Sequence, residues 1–251
     1  MKRAIQRLAA VLLIVALLPG AALAEAIYEE ALRYYDGDGV KQDYVRAAEL
    51  FAQAADQGIV EAMTYLGTIY VHGLGVQQDY AQAADWFRLA ADQGFAPAQY
   101  ELAVMYAHGE GMDQDYAQAM ELYRLSAEQG YPLAQLNLGN LYLFGNGVEE
   151  DCNQAIEWYL LSAAQGNLDA MFNLSAIYYY GWNGETDYAR AVEWFRLAAD
   201  LGEPDSQYYL GSMYLFGSGA EQDIALGIQY LTLAAMQGHE EAIDLLNSLE
   251  D

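Results

Sequence analysis

Three histidines, one cysteine and a set of closely spaced carboxylates are the residues of this 251-residue chain that could do chemistry. An imidazole can hold a metal or move a proton, and a thiolate can attack a carbonyl, only when partners lie within reach. His72 and His108 stand 36 residues apart and His239 lies near the far end, with neither a third nitrogen nor a cysteine to join the first two. Cys152 is alone, so no internal disulfide can form. The segment DGDGVKQD, Asp36 to Asp43, spaces its carboxylates as a calcium loop does, but Lys41 and Ala47 stand where that loop needs a glycine and a bidentate Glu. Gly-x-Ser-x-Gly, Ser-x-x-Lys and His-Glu-x-x-His are absent. The residues point away from an enzyme: no catalytic group, no metal site and no cofactor are expected.

Glycine pairs offer a second chemistry, the cradling of a phosphate. They occur as Gly37/Gly39, Gly73/Gly75, Gly109/Gly111, Gly145/Gly147 and Gly217/Gly219, and as GWNG from Gly181. A dinucleotide loop needs a strand before it and a helix after it, whereas each of these pairs lies between two helical patterns. In GWNG, Asn183 stands at the second glycine position and is expected to take the left-handed backbone there.

Stepping outward from the pairs exposes a period. Gly37, Gly73, Gly109, Gly145, Gly181 and Gly217 are 36 residues apart, as are Gly58 to Gly238 and the aspartates Asp43, Asp79, Asp115, Asp151, Asp187 and Asp223. Such regularity marks an array of one repeated unit. The first helix of a unit is exemplified by EAMTYLGTIYV, 61 to 71, with Ala62, Leu66, Ile69 and Tyr70 at helical spacing, Gly67 open to a close neighbour and Gly73 as the left-handed stop. The second begins at Asp79, which caps the first turn; Gln82, like Gln118 and Gln154 in later units, completes a capping-box spacing. Its apolar stripe is Ala83, Phe87, Ala90 and Ala91. The recurring pairs Trp86-Phe87, Trp158-Tyr159 and Trp194-Phe195 read as core rather than as a ligand box. Six units and a last first-helix, EAIDLLNSLED, fill residues 25–251.

MKRAIQR, the apolar run Leu8 to Leu18, Pro19-Gly20 and Ala22-Leu23-Ala24 form the pattern of a signal peptide over residues 1–24, with cleavage expected after Ala24 and a periplasmic or secreted product. The run is short for a bilayer span. Ten Lys and Arg face 36 Asp and Glu, a formal charge of −26; losing Lys2, Arg3 and Arg7 leaves seven bases against 36 acids, or −29. Such a surface repels nucleic acid and anionic lipid.

Units such as AQLNLGNLYLFGNGVEEDCNQAIEWYLLSAAQGN resemble Sel1-like repeats, relatives of the tetratricopeptide repeat with a longer, glycine-bearing turn. Ala, Leu-Gly, Tyr, Gly-x-Gly, Asp-Tyr, Ala, Trp-Phe or Trp-Tyr, Ala-Ala and Gln-Gly fall in register over residues 25–251. Cys152 and Ile224 depart from the Tyr after the capping Asp, Gly227 from the second-helix Ala, and Leu89, Leu125, Leu161, Leu197 and Leu233 from the Lys that often precedes Ala-Ala. The fold expected is all-α: a right-handed superhelical α/α solenoid of six helix pairs plus a terminal capping helix. Laid on the tetratricopeptide pattern, the first helices line a concave groove and present Tyr100, Leu136, Asn140, Leu143, Phe144, Phe172, Tyr179, Tyr180, Tyr208, Leu215 and Phe216 as candidate binding residues. The resemblance implies an exported protein-protein interaction scaffold whose partner is a basic or amphipathic protein segment. A periplasmic inhibitor or immunity-type protein that blocks an envelope enzyme is the alternative.

Overall fold

The structure, a computed structural model, describes residues 20–249. Thirteen helices and no strand lie among them: α1 (Gly20–Asp36), α2 (Tyr44–Ala55), α3 (Val60–His72), α4 (Tyr80–Ala91), α5 (Ala96–His108), α6 (Tyr116–Glu128), α7 (Pro132–Phe144), α8 (Cys152–Ala163), α9 (Leu168–Tyr180), α10 (Tyr188–Asp200), α11 (Pro204–Phe216), α12 (Ile224–Met236) and α13 (Glu240–Ser248). The described residues divide into two compact units, with the boundary between residues 126 and 127. In the first, each helix from α1 to α5 packs on the next; in the second, α7 to α13 do the same. Odd-numbered helices are the first helices of the repeats and even-numbered ones the second. Six helix pairs plus a terminal helix is the expected count.

The turn inside each repeat follows from two residues. Gly73 closes α3 in the left-handed region, at φ 65° and ψ 35°, and its N–H donates to the Ile69 carbonyl. Six residues on, the Asp79 N–H donates to the Tyr70 carbonyl (3.0 Å), and the same bond recurs at Asp43, Asp115, Asp151, Asp187 and Asp223. The Asp79 carboxylate accepts from the Gln82 N–H (3.0 Å) and starts α4, a cap worth ~1 kcal/mol. The other five aspartates cap their helices in the same way. One residue therefore ties the end of a first helix to the start of a second.

This use of the aspartate amide corrects the expected capping box. The reciprocal half of that motif needs the Asp N–H free for the Gln side chain, and here a carbonyl already holds it. Gln82 Nε2 turns to the Asp79 carboxylate (3.2 Å) and Gln154 Nε2 to Glu157 (3.2 Å). A second correction concerns GWNG. Among the described residues no residue other than glycine has positive φ, so Asn183 does not take the left-handed backbone; Gly184 does, at φ 116°. The turn is rebuilt one residue later.

Small residues set the distance between helices. Ala62, Ala98, Ala134, Ala170 and Ala242 are fully buried, as are Ala47, Ala83, Ala119, Ala155 and Ala191 on the second helices. A Cβ on Gly67 would lie 2.5 Å from the Phe87 ring, and one on Gly139 would lie 2.6 Å from the Tyr159 ring. Phe87, Tyr159 and Phe195 are buried on their partner helices, each contributing about 1.5–3 kcal/mol through burial. The second ring of each aromatic pair is core, while Trp86, Trp158 and Trp194 are half-buried.

The second glycine of a pair serves the array, not a phosphate. A Cβ at Gly75 would meet the backbone N of Val45 at 2.7 Å and the carbonyl carbon of Tyr44 at 2.9 Å, in the preceding repeat. Gly111 stands in the same relation to Tyr80.

The apolar run Leu8–Leu18 and Pro19 lie outside the described residues, and α1 begins at Gly20 and runs through Ala24 without interruption. Among the described residues no helix is long and apolar enough to cross a membrane.

Candidate interaction surface

The eleven candidate residues separate by exposure. Leu136 and Leu143 are each 7% exposed and Leu215 is 5% exposed, so these three are core rather than groove lining. Leu143 packs with Tyr159 and Ala155 of α8, and Leu215 with Leu231 and Ala234 of α12. For Leu143 and Leu215 the cause is register: the position two residues before the glycine stop faces the following second helix. Tyr179 occupies the same position in α9 and packs its ring edge-on against Phe195 (6.1 Å) and Tyr188 (5.4 Å).

Three others are open. Phe144, Tyr180 and Phe216 are 63%, 49% and 65% exposed. Each is the last residue of its first helix, immediately before Gly145, Gly181 or Gly217, so the repeat places them at the same end of α7, α9 and α11. An aromatic ring there has no following turn of its own helix to cover it.

The remaining candidates are half-buried and held by partners. Asn140 Oδ1 accepts from the Tyr159 hydroxyl (2.7 Å) and from Asn173 Nδ2 (3.3 Å). Phe172 lies 6.0 Å from both Phe195 and Tyr209, and Tyr208 stacks on His239 at 4.7 Å. His239 in turn caps α13, with Nδ1 accepting from the Ala242 N–H (3.3 Å) and Nε2 placed 3.1 Å from Asp205. Tyr100, in the other unit, packs against Tyr123 at 5.9 Å. Burial raises the hydroxyl pKa of Tyr179, and more strongly that of Tyr209, whose neighbour Tyr180 adds to it.

Sequence reasoning passed over Trp182, Tyr188, Tyr209 and Asn173. Trp182 is 50% exposed and stacks on Tyr180 (5.5 Å, 18°). Its signal was available: it is the only aromatic at the middle of a glycine pair, where the other repeats carry Asp38, Leu74, Glu110, Asn146 and Ser218. Tyr209 and Asn173 lie one position beyond the one chosen on each first helix. The departures Leu89, Leu125, Leu161, Leu197 and Leu233 are all exposed.

Charge completes the surface. Residues 127–251 hold nineteen Asp and Glu against two Arg and no Lys, so this half attracts cations strongly. Both arginines are engaged. Arg190 pairs with Asp187 (3.3 Å) and lies 5.4 Å from the Tyr178 ring; Arg196 donates to the Tyr214 hydroxyl and lies 5.8 Å from that ring. Among the described residues no group of three or more His, Cys, Asp or Glu is placed to hold a metal ion.

No curated protein matches the chain in sequence. A Sel1 repeat protein from Oxalobacter formigenes has a similar structure, with TM-score 0.78 at 27% identity, over 90% of this chain and 88% of that one. A sel1 repeat protein from Klebsiella pneumoniae shares the fold at TM-score 0.52 and 23% identity, covering 81% of this chain and 99% of its own. So does the immunity protein Pa5087 from Pseudomonas aeruginosa, at TM-score 0.53 and 21% identity, over 85% of this chain and 81% of that one. The family model described as Sel1 repeat matches six times, at residues 24–59, 60–95, 96–131, 132–167, 168–203 and 204–239. The array of glycine-stopped helix pairs is therefore one of Sel1 repeats, and the chain belongs to the Sel1 repeat family.

Proposed function

We propose that this chain is an exported scaffold that binds a protein segment along the first-helix side of its repeats. The observation that carries the reading is the repetition of Phe144, Tyr180 and Phe216, exposed aromatic residues at one register of three successive first helices. Single exposed rings are ordinary on a protein surface, but a periodic row of them in a strongly acidic half of the chain suits an interaction site. The leader pattern of residues 1–24 supports export, and the acidic surface favours a basic or amphipathic partner.

Immobilised protein is exposed to an envelope fraction and the retained proteins are identified at low and at raised salt. The scaffold reading expects a protein ligand that is released as salt rises and lost from a Phe144→Ser, Tyr180→Ser, Phe216→Ser variant. Retention of nothing, or equal retention by the variant, would overturn it. An enzyme that is retained and loses activity on binding would assign the same surface to the inhibitor or immunity-type alternative.

A further inference from the structure

Two turn residues hold each of the first three repeats closed. Gln78 Nε2 donates to the Val71 carbonyl (2.7 Å) and to the Tyr80 hydroxyl (3.1 Å); Gln42 with Tyr44 and Gln114 with Tyr116 form the same clasp. The fourth repeat replaces both members. Glu150 stands at the glutamine position and Cys152 at the tyrosine position, so the amide donor becomes a carboxylate and the ring becomes a thiol. The following repeat adds Trp182. Leu143, Phe144, Glu150, Cys152 and Trp182 line a cleft of ≈ 320 Å³.

We propose that this cleft is a binding site for an arginine side chain of a protein partner, its guanidinium placed between the Phe144 and Trp182 rings and its charge met by Glu150. The proposal rests on the scaffold reading and names the anchor residue of the docked segment. A guanidinium is planar and weakly hydrated, so it stacks on aromatic faces while pairing with a carboxylate. The walls suit that chemistry. Both rings are exposed, and stacking of Trp182 on Tyr180 fixes the indole plane. Asp151 already accepts from the Asn153 and Gln154 N–H groups (2.9 and 3.1 Å), which leaves Glu150 as the open carboxylate of the cleft. Burial raises the Cys152 thiol pKa, and the nearby Asp151 and Glu150 carboxylates add to it. Neither arginine of residues 127–251 serves it, since Arg190 lies on Tyr178 and Arg196 on Tyr214.

The probe is a fluorescently labelled amphipathic peptide carrying arginines, with matched peptides carrying lysine or the neutral isostere citrulline in their place. Binding to the full chain is followed by anisotropy. Glu150→Gln with Cys152→Tyr rebuilds the clasp of the first three repeats and fills the cleft, so it should keep or raise thermal stability while weakening the arginine peptide at least tenfold. Trp182→Leu should weaken it severalfold. Glu240→Gln removes an equal charge elsewhere and should change affinity less than twofold. The citrulline peptide should bind at least tenfold more weakly than the arginine peptide, and the lysine peptide should fall between them.

Equal binding of arginine and citrulline peptides, equal loss in Glu150→Gln and Glu240→Gln, or no binding by the unaltered chain would overturn the proposal. So would a lysine peptide bound as tightly as the arginine one, which would mark attraction by net charge alone. Failure here is separable from failure of the scaffold reading. An envelope protein retained equally by the unaltered chain and by Glu150→Gln, Cys152→Tyr would leave the scaffold standing without this anchor.

Discussion

The Tyr180 hydroxyl lies 2.9 Å from the Tyr209 hydroxyl and joins the last turn of α9 to α11 across one repeat boundary. Either phenol can donate, and the bond persists only while at least one keeps its proton. Burial, then the Tyr180 bond, hold Tyr209 well above the ordinary phenol value of 10.0. Tyr28 and Tyr230 are each pushed up to about 12, chiefly by burial. For an acid whose pKa is higher folded than unfolded, the folded state binds the extra proton, so stability falls as pH rises through the interval. The stability held by these phenols should therefore be constant up to about pH 10 and be lost between about pH 10 and 12, where Tyr28 and Tyr230 titrate only after unfolding, which thermal midpoints measure. Tyr180→Phe removes the shared bond and should cost about 1 kcal/mol at neutral pH, measured by denaturant unfolding. A variant with unchanged stability would show that this pair contributes nothing to the joint.

The glycines under the aromatic rings make a sharper test of packing. At Gly139 a methyl group would meet Tyr159 ring carbons at 2.6 and 2.7 Å. Tyr159 is fully buried and its hydroxyl donates to Asn140, so the ring cannot swing away without breaking that bond. Gly139→Ala should destabilise by about 1–3 kcal/mol through overpacking, despite the better helix propensity of alanine. A gain in stability would mean that the helices separate freely here. Ala103 and Tyr123 hold the equivalent positions one repeat earlier and both are buried, so that repeat accommodates a methyl group that the placement of Tyr159 excludes at Gly139.

Ser206 breaks the alanine series at the first-helix contact position. It is fully buried, and its hydroxyl has no hydrogen-bond partner. Ala62, Ala98, Ala134, Ala170 and Ala242 fill the same position in other repeats. Ser206→Ala removes an unsatisfied buried hydroxyl without leaving a large cavity and should stabilise the chain by about 1 kcal/mol. A loss of stability in urea titration would show a polar contact at this hydroxyl.

Fold and site differ in how much the sequence exposed. The 36-residue step of Gly73 and its counterparts, with the aspartate six residues later, defines both ends of a helix pair because each residue acts locally, through φ or through a carboxylate beside free amides. Side-chain exposure depends on the neighbouring repeat. Leu143 and Phe144 are adjacent in sequence and both apolar, yet the first packs on α8 and the second is open. A one-position change on a helix turns a side chain by ~100°, which is enough to exchange core for surface. For the same reason Tyr209 was missed beside Tyr208. Asn183 misled differently: its tolerance of the left-handed region was sound chemistry, but Gly184 lay next to it and takes positive φ at no steric cost.

Adjacent fates such as these decide what mutation of the aromatic surface means. Phe172 and Tyr179 came from the same sequence pattern as Tyr180 and Phe216, but both pack against the core cluster that holds Phe195 and Leu210. Phe172→Ala opens space among Phe195 and Tyr209 and should cost about 1–3 kcal/mol, less than a fully buried ring, lowering the midpoint of unfolding whether or not a partner is bound. Phe216→Ala removes a ring that is 65% exposed, and its effect on stability should stay within about 0.5 kcal/mol. Circular dichroism melts of the two variants therefore separate core from surface before any partner is known. Equal destabilisation would mean that Phe216 is covered by its own chain, and the row formed with Phe144 and Tyr180 could no longer serve as a docking surface.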